Sequence, residues 1–323
     1  MHKNIFYTAG TEGAMVFSIQ NTAITKKGRL TNVTSPVRTI AETENGGLWL
    51  GSDYHGVFYV DMNDTIDAGA PVYNFYRTNG LPDNHTWIDA YNTSGGILFS
   101  TSAGLFRFDQ LKSSFYPDTS FGREFHQDFD WVFPIRENQN KDLWFSAGSE
   151  NTFQKTTGLA KFLGNNKNYF IYSTPFNRIN DYTIEEIYDD KGGIVWFGTD
   201  DKLIRCNTRL FRNDSVKEFY TLFRDIAIGK DSAIFFTNDS LFKFPYKHNS
   251  ISFRFYAPSF IEEAKIRYQY LLEGFDAHWS SWSNSNYKEY TRLQEGRYIL
   301  RVRAKNIYDQ ISDEALFHFQ IMP

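Results

Sequence analysis

One short pattern recurs six times along this chain, and it limits the fold more than any other feature. Its sharpest copy is Lys191-Gly192-Gly193-Ile194-Val195-Trp196-Phe197-Gly198-Thr199. The glycine pair reverses the chain cheaply, because glycine takes positive φ without a Cβ clash. The apolar run after it does not alternate with polar residues, so it predicts a strand covered on both faces. Trp196 aligns with Trp144 in Leu143-Trp144-Phe145-Ser146 and with Trp49 in Leu48-Trp49-Leu50-Gly51. Weaker copies are Ile97-Leu98-Phe99-Ser100, Ile234-Phe235-Phe236-Thr237 and Ile5-Phe6-Tyr7-Thr8. Most copies carry a second apolar half, such as Gly56-Val57-Phe58-Tyr59-Val60 or Gly104-Leu105-Phe106-Arg107-Phe108. Short strands repeated every roughly 40–50 residues indicate a β-propeller, in which small sheets bury both faces against their neighbours.

The clearest repeat places an inner strand at Val37–Ala41, then the Trp49 strand, then Val57–Val60, then Val72–Tyr76 at the outside. Asn79-Gly80-Leu81-Pro82-Asp83-Asn84 follows as a turn that returns the chain inward. Later inner strands fall near Trp87–Tyr91, Trp131–Arg136 and Thr183–Tyr188. The first repeat reads as a second strand with no first strand before it, so an inner strand is expected to be missing there. An insertion from Ser146 to Thr157 lengthens the fourth repeat, and long inserts on a repeat scaffold tend to lie on the binding face. The sixth repeat is short: Phe223–Ile228, Ile234–Thr237 and Leu241–Phe244.

Near residue 250 the pattern changes. Ile251–Phe255, Ile266–Leu271, Tyr298–Ala304 and Ala315–Ile321 all alternate, as strands with one wet face do. They predict a small antiparallel sandwich of immunoglobulin or fibronectin type III kind. The expected architecture is all-β: about six blades of an incomplete propeller over residues 1–248, then the sandwich over 249–323.

Composition narrows function by exclusion. With 34 Lys and Arg against 38 Asp and Glu, the net charge is −4, and no basic stripe marks a nucleic-acid binder. The lone Cys206 allows no internal disulfide and falls in a strand, where it serves as a small apolar residue. No apolar run reaches the ~18–20 residues that span a bilayer, and Met1-His2-Lys3-Asn4-Ile5 lacks the apolar core of a secretion signal. The seven histidines show no metal-site spacing, no phosphate-cradling glycine loop is evident, and no cofactor is expected.

The Gly-Gly-x-x-Trp-Phe-Gly-Thr repeats, the turn Gly80–Asn84, and Tyr268-x-Tyr270-x-Leu272-Glu273-Gly274-Phe275-Asp276-x-x-Trp279 together resemble two-component regulator propeller repeats followed by a three-tyrosine (Y_Y_Y) domain. Tyr298 would be the third tyrosine. The resemblance implies the extracytoplasmic, periplasmic sensor part of a hybrid histidine kinase. It further implies an oligosaccharide ligand, a homodimer, and kinase and membrane segments outside this sequence. Such sensors usually carry two propellers, so this chain resembles most of the second one plus its sandwich.

Trp49, Trp144 and Trp196 sit mid-strand at the repeat period and are read as core rather than as sugar platforms. Tyr268, Tyr270 and Tyr298 are read as packing residues whose hydroxyls reach backbone. Ligand candidates lie instead in the outer-to-inner connections and the central hairpin loops. These are Tyr54, His55, His85, Arg123, His126, Asp128, Trp131, Arg178 and Tyr182, with Asn84, Trp87 and Asn180 beside them. Aromatic faces converging with Arg, Asn and His suit a sugar pocket. Phe121–Trp131 concentrates these residue types best. A propeller-fold glycan hydrolase or lyase is the alternative, but no spacing picks out its pair of carboxylates. A protein-interaction scaffold is the third reading.

Overall fold

The computed structural model describes residues 4–33, 35–62, 69–82, 87–164, 169–190, 192–210, 219–228, 232–234, 241–258 and 262–323. The chain divides into two compact units, Met1–Leu210 and Phe211–Pro323.

Among the described residues, the first unit holds five antiparallel sheets, each built from consecutive strands. The first contains β1 (Ile5–Gly10), β2 (Gly13–Gln20) and β3 (Ala23–Arg29). The second contains β4 (Val37–Glu42), β5 (Leu48–Ser52), β6 (Val57–Val60) and β7 (Val72–Phe75). The third runs β8 (Asp89–Thr93), β9 (Gly96–Thr101), β10 (Gly104–Asp109) and β11 (Ser114–Pro117). The fourth runs β12 (Trp131–Glu137), β13 (Leu143–Ser149), β14 (Gln154–Phe162) and β15 (Tyr169–Tyr172). The fifth runs β16 (Ile184–Asp190), β17 (Ile194–Thr199) and β18 (Leu203–Asn207). The opening strands β1, β4, β8, β12 and β16 lie against one another in that order, the arrangement of propeller blades around an axis.

In the second, third and fourth sheets the second strand is buried from both sides, as its unbroken apolar run requires. Leu48 and Leu50 pack with Val16 of the first sheet and with Leu30 and Val33, which follow it. Trp49, one position between them, points the other way. Its ring meets Phe99, Phe108 and Phe115 of the third sheet at 5.1, 4.9 and 5.9 Å. The fourth sheet repeats the scheme: Leu143 and Phe145 face the third sheet, and Trp144 meets Phe176 and Phe197. Trp144 also donates Nε1–H to Asp189 Oδ2 at 2.8 Å. Trp196 is different. Val195 and Phe197 beside it are buried with Trp144, so Trp196 lies on the face turned away from the fourth sheet. It is only partly buried, with the Arg205 guanidinium 6.0 Å from its ring.

Two sequence expectations are corrected. The first sheet has not lost its inner strand, because β1 takes that position beside β4. The strand equivalent to β5 is β2, where Ala14 and Val16 pack onto the second sheet. Ile5-Phe6-Tyr7-Thr8 had the better local match, but the following turn at Gly13 sets the register.

The second correction concerns the boundary. The expected sixth blade is part of the second unit, so the division falls after Leu210 rather than at 248. In this unit β19 (Leu222–Ile228) pairs with β20 (Ser232–Ile234), while β21 (Phe242–Pro245) stands in the other sheet. β19 also pairs with β22 (Ile251–Tyr256), which pairs in turn with β24 (Tyr287–Tyr290). The second sheet has the order β21, β26 (Ala315–Met322), β25 (Gly296–Lys305) and β23 (Arg267–Glu273). β21 joins β26 in parallel. Phe223, Ile226 and Phe244 therefore share one core with Phe253, Phe255, Phe317 and Phe319. Local apolarity made these segments look like blade strands, and their long-range partners decided otherwise. Phe235–Thr237 of that repeat lies outside the described residues.

Two of the three tyrosines pack as expected, while Tyr270 is partly buried against the same core. Tyr268 and Tyr298 are buried, the Tyr268 hydroxyl accepts from Ala257 N–H at 3.2 Å, and Tyr298 donates to the Gln294 carbonyl at 3.0 Å. On the outer face of β25, Arg301, Arg303 and Lys305 alternate with Trp279 and Trp282. Trp279 lies 5.4 Å from Arg301 and 4.2 Å from Arg303, and Trp282 lies 5.7 Å from Arg303 and 4.9 Å from Lys305. This cation–aromatic ladder holds the 280–283 segment along β23, where Ser283 exchanges backbone hydrogen bonds with Tyr268 and Ser280 donates its N–H to the Tyr270 carbonyl. The segment thereby covers an otherwise open sheet edge. Among the described residues, no helix is long and apolar enough to cross a membrane.

Trp49→Ala should lower the stability of the first unit by about 3–5 kcal/mol, the cost of emptying a closed aromatic site. Trp196→Ala, on a half-covered face, should cost less than about 2 kcal/mol. Urea unfolding of both variants measures the contrast, and equal losses would contradict it.

Candidate functional site

The opening strands all begin at one end of the first unit, the end that also carries the β5–β6 hairpin and the outer-to-inner connections. Three opening strands bring a charged and aromatic cluster together there. Arg38, on β4, donates Nε–H to Asp89 Oδ1 at 3.0 Å and Nη2–H to Asp89 Oδ2 at 3.4 Å. Its Nη1 reaches Asp53 Oδ1 at 3.4 Å. The guanidinium also lies 5.4 Å from the Trp87 ring and 5.3 Å from the Phe133 ring. Trp87 meets Phe133 edge-on at 5.1 Å, and Trp131 lies 5.1 Å from Phe133. Trp131 is seated on Gly148, where a Cβ would come within 2.3 Å of the indole.

The electrostatics of this cluster are set by burial. The Asp89 side chain is 1% exposed. Burial pushes its carboxyl above the ordinary range, against the hydrogen bond and charge of Arg38 that pull it down. Burial lowers Arg38 as well, but the hydrogen bond and charge of Asp89 outweigh it, and the guanidinium ends above its ordinary value. An arginine locked at a fork to a buried carboxylate, with two rings against its faces, presents a rigid platform.

The sequence candidates fall into three groups. Tyr54 and His55 sit in the β5–β6 loop directly after Asp53. Tyr54 is 63% exposed and holds φ at 60°, a left-handed conformation that costs a non-glycine residue about 1 kcal/mol. His55 Nδ1 contacts the Asp53 carbonyl at 2.8 Å. With Trp131, they border the Arg38 cluster.

A second group lies in the connection before β12. Asp118 opens this segment, and Arg123, His126 and Asp128 flank or form the helical turn Glu124–Gln127. His126 is committed to the scaffold: Nδ1 faces the Ala103 carbonyl at 3.2 Å and Nε2 faces the Asp118 carbonyl at 3.0 Å. Its ring is therefore a poor choice for a ligand contact. Asp128 ends the turn through its backbone N–H to the Glu124 carbonyl. Asp118 itself accepts from Arg107 Nε at 2.8 Å and from Ser120 N–H at 3.0 Å. Burial raises its carboxyl, but Ser120 and Arg107 together hold it below the ordinary range.

The third group, Arg178 and Tyr182, belongs to the connection between the fourth and fifth sheets. Arg178 lies in the 3₁₀ turn Thr174–Ile179. Lys202 Nζ stands 4.3 Å from the Tyr182 ring centre and donates to its hydroxyl at 3.2 Å. Asn180 Oδ1 accepts from Thr157 N–H at 2.8 Å. His85 lies outside the described residues, as does Asn84.

The fourth-sheet insertion is absorbed as a longer hairpin, with Ser149 paired to Gln154. Its tip carries Phe153, which is 90% exposed at the same end as Tyr54. Sequence reasoning missed Arg38, Asp53, Asp89 and Phe133. Among the described residues, no group of three or more His, Cys, Asp or Glu could hold a metal ion. Cys206 is half-buried, and burial pushes its thiol up to about 11.

Arg38→Ala should cost roughly 3 kcal/mol, because it leaves the buried Asp89 carboxylate unpaired. Adding Asp89→Asn should recover most of that loss, and chemical denaturation of both variants reads it. Asp118→Asn should lower stability at pH 7 by about 1 kcal/mol. A lowered folded-state pKa stabilises above the unfolded value and is lost as pH falls through the folded one, so this difference should close below about pH 4. Denaturation at pH 7 and pH 3 tests it.

Residues 259–322 match the Y_Y_Y domain family. No curated protein matches the chain in sequence. The whole chain is similar to the extracellular domain of a hybrid two-component system from B. thetaiotaomicron, with a TM-score of 0.64 and 18% identity, and it spans 43% of that structure. A second hybrid two-component extracellular domain from the same organism matches 98% of the chain and 50% of its own length, with 16% identity and a TM-score of 0.41. The chain thus carries a Y_Y_Y domain behind repeated β-sheets, in the fold of a two-component-system extracellular domain.

Proposed function

We propose that this chain is a ligand-sensing, extracytoplasmic part of a two-component regulator that binds an oligosaccharide and relays its presence to a histidine kinase elsewhere in the protein. One observation carries the reading: blade-like sheets and a Y_Y_Y domain occur in a single chain that shares its fold, end to end, with such an extracellular domain. The aromatic cluster at the loop end supports a sugar ligand, since ring faces are what a saccharide face needs.

The periplasm is the compartment this function requires, and a homodimer is the natural form for relaying it. Ligand binding must favour one arrangement of the two copies over another, because equal affinity for both would shift nothing. The catalytic alternative is weaker. Asp53 and Asp89, the carboxylates nearest the rings, both bind Arg38 and do not flank an open gap as glycosidase carboxylates do.

Titration calorimetry with an oligosaccharide panel, followed by chromatography of the same mixtures, tests the proposal. Binding without product is the expected result. Steady product release would replace the sensor by a hydrolase or lyase. No sugar binding, together with recovery of a specific protein partner, would favour a scaffold.

A further inference from the structure

Three of the opening strands share one irregularity near their start. The register of β4 against β5 slips between Val37 and Thr39, that of β12 against β13 between Val132 and Ile135, and that of β16 against β17 between Ile184 and Glu186. Val37, Val132 and Ile184, at the near side of each slip, are all buried. The residues that directly follow them are Arg38, Phe133 and Glu185. A β-bulge of this kind re-aims a side chain away from the regular pleat. β8 has no such slip, and there Trp87, just before the strand, reaches the same region.

The bulges converge. Arg38 belongs to the second sheet and Phe133 to the fourth, with the third between them, yet the guanidinium lies 5.3 Å from the ring centre. In sheets arranged around an axis, side chains of non-neighbouring sheets meet only near that axis. Glu185 holds the same bulge position in the fifth sheet, so the repeat directs it toward the same place.

The three positions differ in what they have left to offer. Arg38 spends its donors on Asp89 and Asp53. Phe133 is partly buried and meets Arg38, Trp87 and Trp131, which belong to the second, third and fourth sheets. Among the described residues, none of its ring contacts comes from the fifth sheet. Glu185 is exposed, and among the described residues its carboxylate has no hydrogen bond or ion pair. The adjacent Glu186 is instead held by Arg136 at 3.0 Å. A ring open on one side, with an unspent carboxylate directed to that side, suits a ligand that offers a C–H face and hydroxyl donors together. We propose that Phe133 and Glu185 form the axial seat of the saccharide: Glu185 accepts from sugar hydroxyls while a sugar C–H face rests on Phe133. The proposal rests on the sensor reading and adds the place of the ligand and the two side chains that read it.

The experiment passes an equimolar mixture of di- to hexasaccharides over the immobilised full chain and identifies the retained species by mass. The retained sugar is then titrated against Glu185→Gln, Phe133→Leu and Glu186→Gln, each first shown to be folded by circular dichroism. Glu185→Gln keeps an acceptor but loses its charge and should weaken binding about tenfold, the difference between a charge-assisted and a neutral hydrogen bond. Phe133→Leu fills the same space without a ring and should weaken binding about fivefold. Glu186→Gln should leave binding within about twofold. Glu185 is at the surface, so its variant decides the matter should Phe133→Leu fail to fold. A sugar bound equally well by the wild-type chain and Glu185→Gln overturns the axial seat and leaves the sensor reading standing. So does a sugar lost to the same degree with Glu186→Gln. Retention of nothing overturns both.

Discussion

The first unit depends on one constraint: the second strand of each sheet is apolar on both faces and must be covered twice. Each strand's odd and even residues therefore belong to different interfaces. Leu48 and Leu50 close one, and Trp49 closes the next. A sheet of this kind has no stable existence alone, so cohesion passes from sheet to sheet as it does in repeat proteins. The same logic explains the partial exposure of Trp196, which has the chemistry of an interface residue on a face that the described residues cover only in part.

Burying this much apolar surface limits where charge can go, and that limit shapes the loop end. Asp89 is tolerated in a position with almost no solvent because Arg38 reaches it with two hydrogen bonds. Arg38 is held in turn by Asp53 and by the rings of Trp87 and Phe133. The result ties three consecutive sheets through one guanidinium. Such a cluster offers specificity of geometry more than net stability, since desolvating two charges offsets most of their attraction. The second unit uses its cations differently. There Arg301, Arg303 and Lys305 remain near the surface and stack with Trp279 and Trp282 to fasten a segment over a sheet edge.

Much of the fold was legible in the sequence, and for an identifiable reason. A strand covered on both faces has a local signature, an unbroken apolar run, which stands behind a glycine turn in β5, β9 and β17, so these strands and β13 could each be found from a few neighbouring residues. The tyrosine positions were legible in the same way, because Tyr268 and Tyr298 pack by alternation within their own strands. The candidate site was less so. Tyr54, His55 and Trp131 were found as loop-end residues, whereas Arg38 and Asp89 join across 51 positions of chain, and no local pattern marks that pairing. His126 had the right chemistry for a ligand contact, yet both its ring nitrogens face backbone carbonyls.

By itself the sequence determined which segments are strands, which faces are apolar, and that one kind of sheet gives way to another. Periodicity and turn chemistry act over a few residues and need no distant partner. Only the tertiary structure decided which sheet each strand joins. Leu222–Ile228 and Phe242–Pro245 have the apolarity of blade strands, but they are hydrogen-bonded into the sandwich, where Phe223 and Phe244 complete its core. An apolar face specifies that it must be covered, and the three-dimensional packing of the whole unit specifies by what.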